Sequence, residues 1–211
     1  MTLRHSLFDK IFMTFLAIFT ICFGFVVLYA SHVTRNMLVD ERTEVLTNEA
    51  FLIADQTITG YIQGLYSEQD FETNLQYYAK TLNASIWVTD TKGIIYGFAR
   101  ADGHPDNPKN IFFVDQDFDM YTAQSFNGTF FGTFSDDVIS VAIPIRTNDK
   151  PNGMILIHST MEQLHNVQQN IVKLIYAPYL FMIIISFALL GIVSGKIMRP
   201  IRKINSVAEQ Y

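Results

Sequence analysis

The chain has 211 residues, a formal net charge of −5 at pH 7 and 49% hydrophobic residues. This acidic balance predicts no nucleic-acid partner, because domains that bind nucleic acids present basic surfaces. The single cysteine, Cys22, excludes an intramolecular disulfide, so the fold must be stabilised by its hydrophobic core.

Two uncharged apolar runs, 11–30 and 174–194, are long enough to cross a membrane as helices, which requires about 20 residues. For the first run the alternative is a cleaved signal peptide. That run is longer than the usual apolar region of a signal peptide, and the residues before Ala30 make a poor cleavage site. We therefore predict two transmembrane helices that interact with the lipid bilayer and flank one domain, 31–173.

Charge differs between the middle of the chain and its two ends. Residues 31–173 carry 18 Asp and Glu against 9 Lys and Arg, whereas 195–211 carries four basic residues and one acidic residue. The short segment 1–10 is also basic. Basic flanks mark the cytoplasmic side of a membrane protein. We predict a plasma-membrane protein with both termini in the cytoplasm and 31–173 outside.

After the first apolar run no turn signal occurs before Gly60, which predicts a helix continuing to about Leu65. Leu38, Val45 and Leu52 repeat every seven residues, the spacing of a coiled-coil seam. Two partners for this stripe remain open. One is the same helix of a second copy in a homodimer, and the other is the core of the chain's own domain.

A second helix is predicted to begin after Ser67, a residue type that caps helix starts, and to end at Asn83. Its apolar residues follow helical spacing and form one stripe: Phe71, Leu75, Tyr78 and Leu82.

A hairpin is predicted next, with strands at 86–89 and 94–98. Its turn begins with Asp90 and ends with Gly93, the residue types that a tight reversal favours. Pro and Gly residues then predict a loop over 101–110. The following stretch, 111–126, is ambiguous and is interpreted as one or two short helices.

Three further strands are predicted at 129–134, 138–147 and 154–158, and a turn over 148–153 precedes the last of them. A helix over 161–173 then leads into the second apolar run. Five strands in two hairpin groups, with helices on one side, predict an α+β domain.

The order of these elements resembles an extracytoplasmic single Cache domain, a PAS-like antiparallel sheet entered by a long helix. The stretches that carry the resemblance are 87–95, 138–145 and 153–157. The segment 195–211 resembles the first helix of a HAMP linker, because Pro200 and Ile201 are followed by apolar residues at coiled-coil spacing. The residues that the resemblance implicates in signal transmission are Pro200, Ile201, Ile204 and Ala208.

The whole layout resembles the sensory part of a bacterial two-span sensor histidine kinase. The resemblance implies that a small molecule or physical stimulus acts on the outer domain. A conformational change would then pass through the second span and the linker to a kinase, which acts on a response regulator. The kinase is not within these residues, so we expect no enzymatic activity of the chain itself. The alternatives are the sensory part of a chemoreceptor or cyclic-dinucleotide enzyme, and a membrane-anchored binding protein without signalling.

No catalytic, cofactor or metal motif is apparent. Three aspartates alternate over 115–119, but the glycine and glutamate that complete a calcium loop are missing. The five histidines lack the spacing of metal ligands. We predict neither a cofactor nor a metal, and we interpret most of the histidines as surface residues.

The resemblance implies a ligand pocket between the sheet and the segments that follow the first hairpin. Strand alternation predicts that Tyr96, Phe98 and Arg100 share one face. Arg100 could grip a carboxylate, with His104 and Tyr121 nearby. The candidate ligand-binding residues are Tyr96, Phe98, Arg100, His104, Tyr121 and Ser140. The alternative is that the aromatic residues belong to the core and that Arg100 is a loop-edge cation.

Overall fold

The structure is a computed structural model that describes residues 7–101, 119–147 and 150–193. The predicted loop over 102–110, the interpretation of 111–118, His104 and the HAMP-like seam lie outside these residues.

The chain divides into two compact units. The helical unit comprises Met1–Arg35 and Asn166–Tyr211, and the sheet unit comprises Asn36–His165. Among the described residues, two helices are apolar and long enough to cross a membrane, Met13–Ile62 and Leu164–Leu189.

The helices are α1 (Leu7–Leu52), a π-helical segment (Ile53–Ile58), α2 (Thr59–Ile62), α3 (Glu68–Leu82) and α4 (Glu162–Val193). The strands are β1 (Ser85–Thr89), β2 (Ile95–Arg100), β3 (Gln124–Gly128), β4 (Val138–Thr147) and β5 (Lys150–Thr160). All pairs are antiparallel, in the order β2-β1-β5-β4-β3. The predicted α+β class is confirmed, with its long N-terminal helix and five-stranded sheet.

Within the helical unit, α1 and α4 pack side by side. The rings of Phe23 and Tyr179 stack with centroids 4.0 Å apart. The side-chain amide of Gln168 donates hydrogen bonds to the backbone carbonyl and hydroxyl of Ser31, at 3.2 and 3.1 Å.

The prediction of one helix to about Leu65 is close, but the π-helical segment was not predicted. There the helix takes one extra residue per turn, and the freed Ala54 carbonyl accepts from both the N–H and the hydroxyl of Thr59. Ile53, Ala54, Thr57 and Ile58 of this segment are buried. Segments of this kind occur often at functional sites.

The predicted second helix is confirmed as α3. Ser67 and Asp70 form a capping box at its start, and Asn83 ends it in the left-handed region at φ 45°. The hairpin turn is also confirmed. The carboxylate of Asp90 accepts from the N–H groups of Lys92 and Ile94, at 2.8 and 2.9 Å.

The strand predicted over 129–134 is wrong, because those residues form a turn. Phe130 and Phe131 have φ values of 44° and 55°, left-handed conformations that an extended strand cannot contain. The third strand is instead Gln124–Gly128, in a stretch interpreted as helical.

The last strand begins earlier than predicted, at Lys150, so that much of the predicted turn is strand. Gly153 allows this pairing because a Cβ there would lie 1.8 Å from the Thr89 carbonyl oxygen.

The sheet has two covered faces. The helix-side core holds α1, the π-helical segment and α3 against register partners such as Ile86, Ile157 and Val141. Their strand neighbours Trp87, Leu156 and Ala142 face the other way and belong to a second cluster. This second face carries the candidate site.

Candidate ligand-binding face

The distal cluster lies on the sheet face opposite the helices. Its buried members are Trp87, Phe130, Phe134, Val138, Ala142, Met154 and Leu156. The left-handed turn after β3 places Phe130 in this cluster, and its ring contacts that of Phe126 edge-on, with centroids 5.7 Å apart. This turn, which was predicted as a strand, therefore forms one wall of the candidate site.

The ring of His158 is surrounded by aromatic side chains of this cluster. The centroid of its ring lies 4.5 Å from those of Trp87 and Phe130 and 4.9 Å from that of Phe134. On β5, its backbone register partners are Ser85 of β1 on one side and Ser140 of β4 on the other. The imidazole thus has a serine on each neighbouring strand.

Burial lowers the pKa of His158 from 6.5 to about 3, because it removes the water that would stabilise an imidazolium. The ring is therefore neutral at physiological pH. Its Nδ1 lies 2.8 Å from the Ser140 hydroxyl oxygen, a hydrogen bond that fixes the ring's orientation.

Three buried polar atoms near this ring have no hydrogen-bond partner among the described residues: Trp87 Nε1, His158 Nε2 and Ser85 Oγ. Leaving a buried polar group unsatisfied costs about 1–3 kcal/mol. Their concentration on one face indicates a place where a further group supplies hydrogen bonds. The described members of the distal cluster carry no charge, so this face suits a neutral molecule with both donor and acceptor atoms.

The structure brings only some of the predicted site residues together. Ser140 is fully buried and belongs to the distal face through His158. Phe98 is the register partner of Trp87, and Arg100 that of Ser85, but both are exposed and neither belongs to the distal cluster. Tyr121 precedes β3 at the opposite edge of the sheet. Arg100 and Tyr121 are therefore separated by four strand spacings, about 19 Å, and do not meet.

Tyr96 departs from simple alternation because of an irregularity in the β1–β2 register between Val88 and Thr89. Its ring lies toward the helices, stacked with Phe71 of α3 at 6.4 Å. Burial, followed by the nearby Tyr61 and Asp90, raises the pKa of Tyr96 to about 12. The register shift thus separates Tyr96 from Phe98 and from the distal cluster.

Neither His158 nor the ring of Trp87 was predicted as part of the site, because most histidines were interpreted as surface residues. Alternation along Met154, Leu156 and His158 was the available signal. It was hidden because β5 is buried on both faces from Gly153 to Ser159, so polar and apolar residues do not alternate.

Neither a protein-family model nor a curated protein matches this chain. Among solved structures, a domain of a sensory box/GGDEF family protein from Vibrio parahaemolyticus is 14% identical, with a TM-score of 0.45 over 69% of this chain and 64% of that one. The extracellular domain of the histidine kinase vpHK1S-Z8 is 15% identical, with a TM-score of 0.44 over 69% and 61%.

The ligand-binding domain of the Pseudomonas fluorescens chemoreceptor CtaA, in complex with L-serine, is 14% identical, with a TM-score of 0.41 over 68% and 63%. In all three comparisons this chain spans slightly less than two thirds of the length of the other structure.

Proposed function

We propose that the chain is the sensory part of a membrane receptor and that a small neutral molecule bound at the distal face is its stimulus. One observation carries the proposal: the first and last helices of the sheet unit are the helices that contain the two apolar runs. In α1, Leu46 and Ala50 are buried in the helix-side core, and in α4, Leu164 packs against it.

This continuity gives a stimulus a physical route. A ligand at the distal face would bind β1, β4 and β5 together and favour one arrangement of the sheet over another. Because β5 ends at Thr160 and α4 begins at Glu162, a change in β5 is passed directly to α4. A coupling free energy of about 1–3 kcal/mol is typical of such linkage and is enough to bias a balanced output.

The output that we propose is a histidine kinase acting on a response regulator, on the resemblance of 195–211 to a HAMP linker. We also propose that both termini are cytoplasmic, on the charge difference between the ends and 31–173. The chain itself is not proposed to be an enzyme.

A receptor chimera tests both the sensory role of the distal face and the proposed membrane topology. Residues 1–211 would be joined to the linker and kinase of a sensor with a transcriptional reporter. His158→Gln and Trp87→Phe change the distal face without emptying it, and we expect each to shift reporter output several-fold. Glu72→Gln, on the exposed side of α3, should leave output unchanged.

Immunoblotting of membrane fractions would verify equal amounts of each chimera. Reporter output that is absent, or unaffected by both distal-face variants at normal membrane levels, would refute the proposed function. Because the kinase works only in the cytoplasm, any signal also supports the proposed topology.

A further inference from the structure

A second cleft lies away from the distal face. It has a volume of about 340 Å³ and is lined by Ala54, Asp55 and Thr59 on the helical side and by Pro144 and Arg146 on the strand side. Pockets for small molecules begin at about this size.

The cleft forms where β4 and the π-helical segment both depart from regular backbone geometry. Pairing of β3 with β4 ends at Gln124 and Ala142, two residues before Pro144, which has no N–H to donate to a ladder. A register irregularity between Ile145 and Arg146 then redirects the strand. Opposite, the π-helical segment holds Asp55 on the other wall.

Two opposite charges face this cleft from different elements. Asp55 and Arg146 are both exposed, and neither has an ion-pair partner among the described residues. Arg146 donates one Nη2 hydrogen bond to the carbonyl of Tyr121, which orients the guanidinium and leaves most of its five donors available.

Asp119 also lies close enough to Arg146 for the guanidinium to affect its pKa. Its pKa is lowered first by the N–H of Tyr121 and the hydroxyl of Thr122, and only then by the charge of Arg146. The carboxylate of Asp119 is thus stabilised mainly by hydrogen bonds within its own turn, and Asp119 does not line the cleft.

Aromatic side chains complete the cleft. Phe51 and Tyr121 line it with exposed fractions of 48% and 62%. Large apolar rings beside a carboxylate and a guanidinium complement a molecule that has two opposite charges and an apolar side chain. Aromatic faces also attract ammonium groups.

We propose that this cleft is a second binding site, for an α-amino acid with an apolar side chain. Its carboxylate pairs with Arg146, its ammonium group pairs with Asp55, and its side chain lies between Phe51 and Tyr121. The site is separate from the distal face, so it does not depend on the function proposed above.

A surface groove on α3 offers an internal comparison. It is lined by Glu72, Gln76, Lys80 and Phe98 and also carries both charges. There both charged residues belong to α3 and are eight residues apart, so the two charges do not face each other from different elements.

The test uses the 211-residue chain in lipid nanodiscs, with isothermal titration calorimetry for affinity. Thermal unfolding is followed by the fluorescence of Trp87, the only tryptophan. The probes are L-leucine, L-methionine and L-phenylalanine. L-leucinamide and N-acetyl-L-leucine each lack one of the two charges. We expect at least one amino acid to bind and to raise the unfolding temperature, and each leucine derivative to bind at least tenfold more weakly than L-leucine.

Asp55→Asn and Arg146→Gln should each weaken binding at least tenfold without changing unfolding in the absence of ligand. The matched controls Glu72→Gln and Lys80→Gln should leave affinity unchanged, and so should His158→Gln on the distal face. The proposal is overturned if none of the three amino acids binds, if both cleft variants bind normally, or if binding is lost in a control or in His158→Gln.

Discussion

At the scale of single residues, the neutral imidazole of His158 makes stability depend on pH. Its pKa falls from 6.5 in the unfolded chain to about 3 in the folded one, because of burial. Below pH 6.5 the unfolded chain therefore binds a proton that the folded chain refuses. The stability contributed by this residue is complete above pH 6.5 and is lost as the pH falls toward 3.

We predict that His158 lowers the free energy of unfolding by about 2 kcal/mol between pH 7 and pH 5. His158→Gln keeps a hydrogen-bonding side chain beside Ser140 but does not titrate, so this part of the pH dependence should disappear. Urea unfolding at both pH values, followed by Trp87 fluorescence, measures the difference. His165→Gln, at an exposed position of α4, is the control and should retain the wild-type pH dependence. If the free energy of unfolding changed equally between pH 7 and pH 5 in wild type and in His158→Gln, a buried and neutral His158 would be contradicted.

At the scale of elements, the parts that were predicted well are those in which local signals agree with packing. The strand 138–147 has the predicted bounds because its continuous apolar run is buried on both faces. The helix α3 begins after Ser67 and ends at Asn83, and both capping residues can be recognised in the sequence. The π-helical segment and the turn at Phe130 were missed because both depend on distant contacts. At Phe130, burial against His158 and Trp87's cluster outweighs the local cost of a left-handed backbone.

Arg42 joins three elements of the sheet unit. From α1, its guanidinium donates to the carbonyl of Leu82, in the last turn of α3, and to the hydroxyl of Ser159 near the end of β5. Burial lowers the pKa of Arg42. The negative end of the α3 dipole is the compensation that the structure provides.

We predict that Arg42→Met, which keeps the apolar stem but removes all three hydrogen bonds, destabilises the chain by about 2 kcal/mol. Arg42→Lys should cost roughly half as much, because an ammonium group keeps the charge but cannot reach both acceptors from one plane. Chemical unfolding monitored at Trp87 gives both values, with Glu44→Gln on the exposed side of α1 as control. An Arg42→Met variant as stable as Glu44→Gln would show that the link contributes nothing.

At the scale of the whole molecule, α1 leaves apolar side chains on a side that does not face its own sheet. Leu46, Ala50 and Ile53 are buried in the helix-side core, whereas Val45 and Leu52 remain 42% and 49% exposed. Different residues of α1 therefore face the two partners that were considered for the stripe with the seven-residue repeat. The domain's own core occupies one side of α1, and the stripe of Val45 and Leu52 is available to a second copy.

We predict a homodimer in which this stripe pairs with its copy. In a Cys22→Ser background, single cysteines at Val45 and Leu52 should form disulfides in oxidised membranes several-fold faster than cysteines at Asp40 and Glu44. The reason is geometric: a disulfide requires Cβ atoms about 4 Å apart, which only residues at a helix seam achieve between copies. Asp40 and Glu44 are exposed on the same helix but point at least 100° away from Val45, so they control for chance collision in the membrane. Gel mobility without reductant measures the crosslinked fraction. Equal crosslinking at all four positions would reduce the stripe to an exposed surface, and crosslinking confined to Asp40 and Glu44 would place the seam on another side of α1.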